Sequence, residues 1–289
     1  LPLGGFGISR YTLDHALSVI ARESGVVIME DTKVHDVIFR GNSFLIEAPG
    51  EKYTSLAACG SFGKRSNLDV KWKRSFITAK NQLSNYIGVK YHVRSSFPAD
   101  TIALHNFNNG YCGMVKIEDD KYCLCYLTTA ANLRKANGNL RQMERTLLAQ
   151  NPYLRNTWDG VEFISDEPLT ISQVSFSRKS QVEDHMLMTG DAAGMITPLC
   201  GNGMSMALHA GKLAGYLTQS FLGGSLSGEE MEHEYTVQWR QQFARRMRIG
   251  RTLQVLLSST GLAGPLISLG KNFPGFTRYL VSQTHGSVF

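Results

Sequence analysis

Residues 185–215 read HMLMTGDAAGMITPLCGNGMSMALHAGKLAG, and this segment decides the predicted fold. The run from His185 to Thr189 is short and apolar, as in a buried strand. A glycine-rich loop follows, and a helix is predicted from about Met204 to Leu217. A strand that passes through such a loop into a helix is a typical ligand-binding element, because the first N–H groups of a helix have no partner within it.

The residues of this loop favour a ligand over an ordinary connection. Gly190 and Gly194 let the backbone approach a bound molecule without a side chain in between. Asp191 stands at the end of the strand, where its carboxylate can accept hydrogen bonds from sugar-like hydroxyl groups. Gly201 and Gly203 come just before the helix, whose N-terminal dipole stabilises an anion. The alternative is a glycine-rich connection with a solvated Asp.

The same segment, from the Gly-Asp pair onward, resembles the second flavin motif of the FAD-dependent oxidoreductases with the p-hydroxybenzoate hydroxylase fold. That superfamily includes aromatic hydroxylases, flavin halogenases and geranylgeranyl reductases. The resemblance implies FAD as cofactor, with the Asp on the ribityl hydroxyls and the Pro and later glycines against the isoalloxazine ring. N–H groups at the helix N-terminus then stabilise the negative charge of reduced flavin. The implied cofactor-binding residues of this loop are Gly190, Asp191, Gly194, Pro198, Gly201, Asn202, Gly203 and Met204.

Two weaker matches lie earlier in the chain. Ile8-Ser-Arg10-x-x-Leu13-Asp14-x-x-Leu17 resembles the opening of the family's second helix, which implies that Arg10 also binds the cofactor. The alternative is an exposed N-terminal arginine. Residues 57–66 resemble the family's short Asp-Gly motif, but Cys59 stands where Asp is usual. This departure leaves a role for NAD(P)H open, and Cys59 itself is expected to be a buried small residue.

The family's N-terminal βαβ unit with G-x-G-x-x-G has no counterpart in this sequence. Gly5-Phe6-Gly7 has no strand pattern before it and leads to Arg10 instead of a third glycine. Either the native protein carries this unit upstream of Leu1, or it does not bind FAD by itself. We therefore expect the 289 residues alone to bind FAD weakly and to leave a sheet edge unpaired.

Patterns elsewhere predict an α/β fold in which an antiparallel sheet interrupts the FAD-binding domain, with helices at the C-terminus. Residues 11–24 and 229–257 have helical spacing, and Gly41-Asn42 predicts a β-hairpin. Four runs rich in β-branched and aromatic residues lie between Tyr86 and Thr128. The predicted parts are the FAD-binding domain, first part (1–75), the substrate-binding sheet domain (76–178), the FAD-binding domain, second part (179–222), and a C-terminal helical region (223–289).

Three shorter elements complete the prediction. Val26–Met29 is a short apolar run and is expected to form a strand. Residues 140–150 are expected to form a helix that Asn151-Pro152 ends. Residues 163–176 return to strand character.

Candidate catalytic residues come from the predicted sheet. Alternation along its first strand places Lys90 and His92 on one face. A histidine shuttles protons near neutral pH, and a lysine stabilises an oxyanion, so both are candidate catalytic residues. His105, on the next predicted strand, is a third candidate on the same grounds. The alternative is an outward-facing polar side of an antiparallel sheet.

The composition excludes several classes of protein. With 43% hydrophobic and 19% charged residues, the chain is not disordered. The net charge of +6 is spread along the chain, so nucleic-acid binding is not expected. Arginines clustered at 245–251 leave a basic surface-binding module as an alternative. Residues 253–269 are apolar but interrupted by Gly and Pro, which favours a buried helix pair over peripheral membrane contact.

The cysteines and the metal-ligating residues give little signal. The five cysteines are an odd number, which predicts a reducing cytoplasm instead of a disulfide framework. The Cys123-x-Cys125 spacing does not match a zinc site, so no metal is predicted.

Taken with the resemblance, these features predict an FAD-dependent oxidoreductase from a bacterial branch near the geranylgeranyl reductases and halogenases. Its expected substrate is apolar or aromatic, and lipid-like or carrier-bound molecules are included. Monooxygenase and alkene-reductase chemistry both stay open, as do the electron donor, NAD(P)H or another, and the oligomeric state. The alternative is a truncated or flavin-free remnant that acts as a non-catalytic binding protein.

Overall fold

A computed structural model describes residues 5–78, 85–286 and 289. These residues form two compact units. The sheet unit comprises the chain up to Glu30, Asn85–Val174 and Leu256–Leu266. The loop unit comprises the remaining described residues, and it contains the whole segment 185–215.

The secondary structure is mixed α/β, with antiparallel sheets and C-terminal helices, as predicted. The described strands are β1 (Asp36–Arg40), β2 (Ser43–Ala48), β3 (Glu51–Ser55), β4 (Cys59–Gly60), β5 (Tyr86–Arg94), β6 (Ala103–Phe107), β7 (Gly110–Lys116), β8 (Tyr122–Thr129), β9 (Glu162–Phe163), β10 (Leu169–Val174), β11 (Val182–Glu183) and β12 (Met186–Met188). The described helices are α1 (Arg10–Glu23), α2 (Asn67–Lys71), α3 (Ser75–Thr78), α4 (Ala130–Lys135), α5 (Leu140–Thr146), α6 (Pro152–Asp159), α7 (Gly203–Leu222), α8 (Gly228–Ser258), α9 (Thr260–Asn272) and α10 (Pro274–Thr284).

The sheet unit is built on an antiparallel sheet with the strand order β10-β5-β8-β7-β6, and β9 pairs with β5. The four strands predicted between Tyr86 and Thr128 are therefore confirmed. Alternation along β5 buries Val89, Tyr91 and Val93 on the face that packs with α4, α5 and α6. The opposite face of β5 is left to its polar residues.

The loop unit contains two small sheets. In the first, β1, β2 and β3 form an antiparallel meander. Gly41 and Asn42 connect β1 to β2 with φ angles of 56° and 65°, the left-handed backbone that a tight hairpin turn needs, so the predicted hairpin is confirmed. In the second, β12 runs parallel to β4 and antiparallel to β11. β4 and β11 are the edge strands of this sheet within the described residues, and the predicted unpaired edge stays a prediction.

The core of the loop unit is the contact between α7 and α8. α8 buries Met231, Tyr235, Trp239, Phe243 and Met247, which recur at every fourth position and therefore share one side of the helix. They pack with the small buried residues of α7 and with β12. The buried Tyr235 hydroxyl donates a hydrogen bond to the Met188 carbonyl at the end of β12. α8 is thereby held against the strand that enters the glycine-rich loop.

Three sequence predictions differ from the structure. Val26–Met29 is not a strand, and Val27 is 84% exposed, because no described strand lies beside it to supply hydrogen bonds. The helix predicted over 140–150 ends as an α-helix at Thr146, and Pro152 begins a new helix instead of only ending one. The proline suits the first helical position, and Asn151 caps it through the Tyr153 amide.

The C-terminal helices expose more apolar surface than expected. Leu262, Ile267 and Tyr279 are about half exposed on α9 and α10, so the expected buried pair is wrong. Among the described residues, no one helix has both the length and the apolar composition needed to cross a membrane, and α8 together with α9 meets that test only as a bent pair.

The anchor between α8 and β12 gives a first prediction. Tyr235→Phe removes the hydroxyl and leaves a buried carbonyl unpaired, so we expect the free energy of unfolding to fall by about 1–3 kcal/mol in denaturant titrations. The matched control is Tyr216→Phe on α7, whose ring is 68% exposed, and it should change stability by less than about 0.5 kcal/mol. Equal effects of the two variants would contradict the anchor.

Candidate functional site

The glycine-rich loop begins with a tight turn after β12. Gly190 has a φ of 55°, in the left-handed region that favours glycine. The amide of Ala192 donates to the Thr189 carbonyl, and the amides of Ala193 and Gly194 donate to the Gly190 carbonyl. The N–H groups of the turn are therefore bonded within the turn. The carbonyl groups at its end, those of residues 191–193, need donors from elsewhere in the chain.

Side chains supply those donors at three consecutive carbonyls, an arrangement called here the carbonyl clamp. Lys179 Nζ lies 2.7 Å from the Asp191 oxygen, and Arg74 Nη1 lies 3.0 Å from the Ala192 oxygen. Gln181 Nε2 lies 3.4 Å from the Ala193 oxygen. The three donor residues are buried. Cations at the carbonyl end of a helical turn offset its dipole, so the clamp stabilises this turn.

Each charge of the clamp is compensated by other contacts. Arg74 also donates to Asp69 at 2.8 Å and to Glu183 at 2.7 Å, which makes it a paired buried cation. Lys179 also donates to the Lys64 carbonyl at 2.7 Å. Burial nevertheless lowers the pKa of Lys179 to about 8. The clamp thus ties the loop to the segment that follows β4.

The inner side of the loop is covered by α8. A side-chain carbon at Gly194 would lie 2.7 Å from Met247 and 3.2 Å from Trp239, so this glycine makes room for the helix. A cavity beside Gly190 and Asp191 on this side has a volume of about 10 Å³, room for a water molecule at most. No tricyclic ring can enter between the loop and α8.

The outer side of the loop is open. Pro198 is exposed, and among the described residues no atom lies within 4 Å of the position that a side-chain carbon of Gly201 would take. α7 begins two residues later and has neither a side-chain cap nor an acidic residue in its first turn. The amides of Gly203 and Met204 therefore have no acceptor within the helix and no capping side chain.

Asn202, immediately before α7, is buried, and only one of the two polar atoms of its side chain has a hydrogen-bond partner among the described residues. Its Nδ2 donates to the Thr284 carbonyl at the end of α10. Its Oδ1 is buried and has no hydrogen-bond partner among the described residues. Farther along α7, His209 stacks on Phe289 with ring centroids 4.4 Å apart. C-terminal residues therefore lie against the first turns of α7.

The outer side has two features that suit the predicted flavin ring, open backbone at Gly201 and an uncapped helix N-terminus. The unpaired Oδ1 of Asn202, next to that N-terminus, is buried. Asp191 is half-buried at the turn, where its charge interacts with Lys64 and Lys179. The cofactor-binding roles of these residues stay predictions, and so does that of Gly194, whose missing side chain is already used by α8.

The other predicted cofactor residue lies in the sheet unit. Arg10 is the first residue of α1 and forms an ion pair with Asp14, four residues later, at 2.9 Å. Both side chains are largely exposed. The predicted role of Arg10 in cofactor binding stays a prediction.

The candidate catalytic residues share one face of β5, as alternation predicts. Lys90 lies opposite Cys125 of β8, and His92 lies opposite Cys123. His92 Nε2 is buried without a described partner, and burial together with the Lys90 charge lowers the pKa of His92. His92 is therefore neutral near pH 7. The catalytic roles of Lys90 and His92 stay predictions.

Other side chains depart from the sequence predictions. His105 lies on the helix side of the sheet, where its ring stacks on that of Tyr153 with centroids 5.7 Å apart. It therefore does not share a face with Lys90 and His92. Cys59 is exposed on the edge strand β4, and the prediction of a buried residue is wrong. In the part of the chain that the structure describes, no three His, Cys, Asp or Glu residues form a group that would hold a metal ion.

The sequence comparisons give short or distant relatives. No protein-family profile matches the chain. It is 25% identical over 182 residues to Conditioned medium factor receptor 1 of Dictyostelium discoideum, which covers 61% of this chain and 32% of that protein. It is 31% identical over 64 residues to Digeranylgeranylglycerophospholipid reductase of Methanococcus vannielii, which covers 22% of this chain and 16% of the reductase. The chain thus matches about a third or less of the length of these relatives.

The structural comparisons are more extensive. The flavin-dependent halogenase CmlS matches with a TM-score of 0.72 at 18% identity, over 95% of this chain and 54% of that chain. The flavin-dependent brominase Bmp2 matches with a TM-score of 0.74 at 16% identity, over 95% of this chain and 69% of that chain. A geranylgeranyl bacteriochlorophyll reductase-like protein from Thermoplasma acidophilum matches with a TM-score of 0.69 at 16% identity, over 94% of this chain and 74% of that chain.

These matches confirm the predicted resemblance at the level of the fold. The chain has the same α/β fold as the halogenase CmlS, the brominase Bmp2 and the reductase-like protein. One further structure with this fold is the halogenase PltM in complex with FAD and phloroglucinol.

The carbonyl clamp predicts a pH dependence of stability. The pKa of Lys179 in the folded protein, about 8, lies below its ordinary 10.5. Between these values the unfolded chain holds the proton that the folded chain has released, so the free energy of unfolding rises with pH. Lys179→Met abolishes this contribution. We therefore expect the stability of the wild type, relative to the variant, to grow as the pH rises from about 8 towards 10.5.

Denaturant titrations at several pH values measure this difference. The matched control is Lys212→Met, which removes an exposed lysine of α7 and leaves the clamp in place. A difference between wild type and Lys179→Met that stays constant or shrinks with rising pH would contradict the burial assigned to this ammonium group.

Proposed function

We propose that the chain is an FAD-dependent oxidoreductase, with the isoalloxazine ring bound on the outer side of the glycine-rich loop. The observation that carries this proposal is the uncapped N-terminus of α7 beside the open backbone at Gly201. The fold supports it, because the structures that share this fold include flavin-dependent halogenases and a probable FAD-dependent monooxygenase.

In this proposal, different residues of the loop bind different parts of FAD. Bound FAD supplies hydride transfer or oxygen activation. Asp191 accepts hydrogen bonds from the ribityl hydroxyls, and Pro198 and Gly201 lie against the ring. The amides of Gly203 and Met204, at the positive end of α7, stabilise negative charge on the pyrimidine side of the ring.

The substrate in this proposal is an apolar or aromatic small molecule. Two curated relatives are reductases of a prenylated phospholipid, and the halogenase PltM binds phloroglucinol, so the relatives' ligands cover both lipid-like and aromatic chemistry. Within the sheet unit, Lys90 and His92 on one face of β5 are the proposed catalytic residues. An electron donor such as NAD(P)H and a cytoplasmic location complete the proposal.

The predicted division of the chain also becomes part of the proposal. The FAD-binding parts are residues 1–75 and 179–222, and the substrate-binding sheet domain is 76–178. The C-terminal region, 223–289, supports the loop from its inner side through α8.

The cofactor assignment is tested by titrating the 289-residue chain with FAD and following flavin fluorescence. We expect Asp191→Ala to weaken FAD binding by about tenfold or more, because the hydrogen bonds to a charged carboxylate are lost. Asp159→Ala, an exposed carboxylate in the sheet unit, is the control and should leave affinity unchanged. Thermal unfolding of both variants separates a binding defect from misfolding. Equal FAD affinity of the wild type and a folded Asp191→Ala would contradict the site.

The two modes of chemistry are separated with one assay. Reduced holoenzyme is mixed with candidate prenyl-lipid and phenolic substrates under air and under nitrogen. Oxygen consumption coupled to substrate loss indicates a monooxygenase or halogenase, and saturation of an alkene without oxygen indicates a reductase. The proposal fails if FAD binds but no substrate-dependent oxidation of the flavin occurs in either atmosphere.

A further inference from the structure

A groove with a volume of about 360 Å³ runs along α8 in the loop unit. It is called here the basic groove, because its lining contains five cationic side chains and no carboxylate. Small-molecule sites in proteins have volumes of about 300–1,000 Å³, so this groove has the size of a small ligand. Its cationic residues are Arg178, Lys179, Arg240, Arg248 and Arg251.

The arginines of α8 are placed by the helix period. Arg240, Arg248 and Arg251 are separated by eight and three positions, so they share one side of the helix. Trp239 and Met247 line the same groove and give it an apolar wall next to the charged groups. The groove therefore combines charge with a surface for an uncharged part of a ligand.

The four arginines of the groove have no carboxylate partner among the described residues. In the described chain, no salt bridge involves Arg178, Arg240, Arg248 or Arg251. Burial lowers the pKa of Arg251, and the neighbouring charges of Arg178 and Arg248 lower it further. Arg251 Nε is buried without a described hydrogen-bond partner. Converging cations repel one another, and an anion among them removes that repulsion.

The wall of the groove is held in place by the clamp residue Gln181. Its Oε1 accepts a hydrogen bond from Arg240 Nε at 3.3 Å, which orients that guanidinium group. Its Nε2 donates to the Lys179 carbonyl at 2.7 Å and towards the Ala193 carbonyl at 3.4 Å. Arg240 is thus oriented before any ligand arrives, which lowers the entropy cost of binding.

We propose that the basic groove is a binding site for a phosphate group, carried by a soluble phosphorylated molecule or by a phospholipid headgroup. A guanidinium group matches phosphate with two parallel hydrogen bonds, and the four positive charges exceed the charge of about −2 that a phosphate monoester carries. The arginines on α8 converge on one groove of small-molecule size, whereas a nucleic-acid surface requires an extended basic stripe. This site is separate from the outer side of the loop and does not depend on FAD.

Calorimetric titration of the 289-residue chain with inorganic pyrophosphate tests the site. We expect binding that weakens with added salt, and a loss of affinity of about tenfold in each of Arg248→Gln and Arg251→Gln. Arg245→Gln is the matched control, because Arg245 is exposed on the same helix and does not line the groove. Arg248 is exposed, so its variant is expected to fold even if the variant of the half-buried Arg251 does not.

Cosedimentation with vesicles distinguishes the two sources of the phosphate. Binding to phosphatidylcholine vesicles containing phosphatidic acid, competed by pyrophosphate, supports a lipid headgroup. Binding of pyrophosphate without vesicle binding supports a soluble ligand. The proposal is overturned if the wild type binds neither probe. It is also overturned if Arg245→Gln weakens binding as much as Arg248→Gln, because the attraction is then a property of the whole basic surface.

Discussion

The structure of the site depends on three consecutive backbone carbonyls that buried side chains bind. The oxygens of residues 191–193 end a tight turn beneath α8, and Lys179, Arg74 and Gln181 bind them from buried positions. Each such carbonyl left unpaired would cost about 1–3 kcal/mol. The clamp therefore fixes the direction of the turn and joins it to the segment after β4 and to the one before β11.

The outer side of the loop is built from other groups. The uncapped first turn of α7 and the open backbone at Gly201 form this outer side. The glycines of the motif therefore have separate tasks. Gly194 lets Met247 and Trp239 approach, and Gly201 leaves space for a ligand. A single motif thus serves helix packing on one side and, in the proposed function, cofactor binding on the other.

Local patterns in the sequence predicted the strand, loop and helix of this motif, the hairpin at Gly41-Asn42 and the shared face of Lys90 and His92. The clamp was not predictable, because Arg74 lies 118 residues from Ala192 and looks like any other arginine of a short helical segment. Contacts between distant segments also explain why two sequence predictions were wrong. Val26–Met29 has strand composition but no described neighbouring strand, and the exposure of Cys59 follows from the position of β4 at a sheet edge.

Hydrogen–deuterium exchange of the 289-residue chain, with and without saturating FAD, tests the central claim most directly. The amides of Ala192–Gly194 already have acceptors, whereas those of residues 203–205 have none within α7. The account predicts that FAD slows exchange in the peptide that contains residues 201–205 and leaves the peptide around 192–194 unchanged. Bound FAD, confirmed by its absorbance, without slower exchange at residues 201–205 would contradict it.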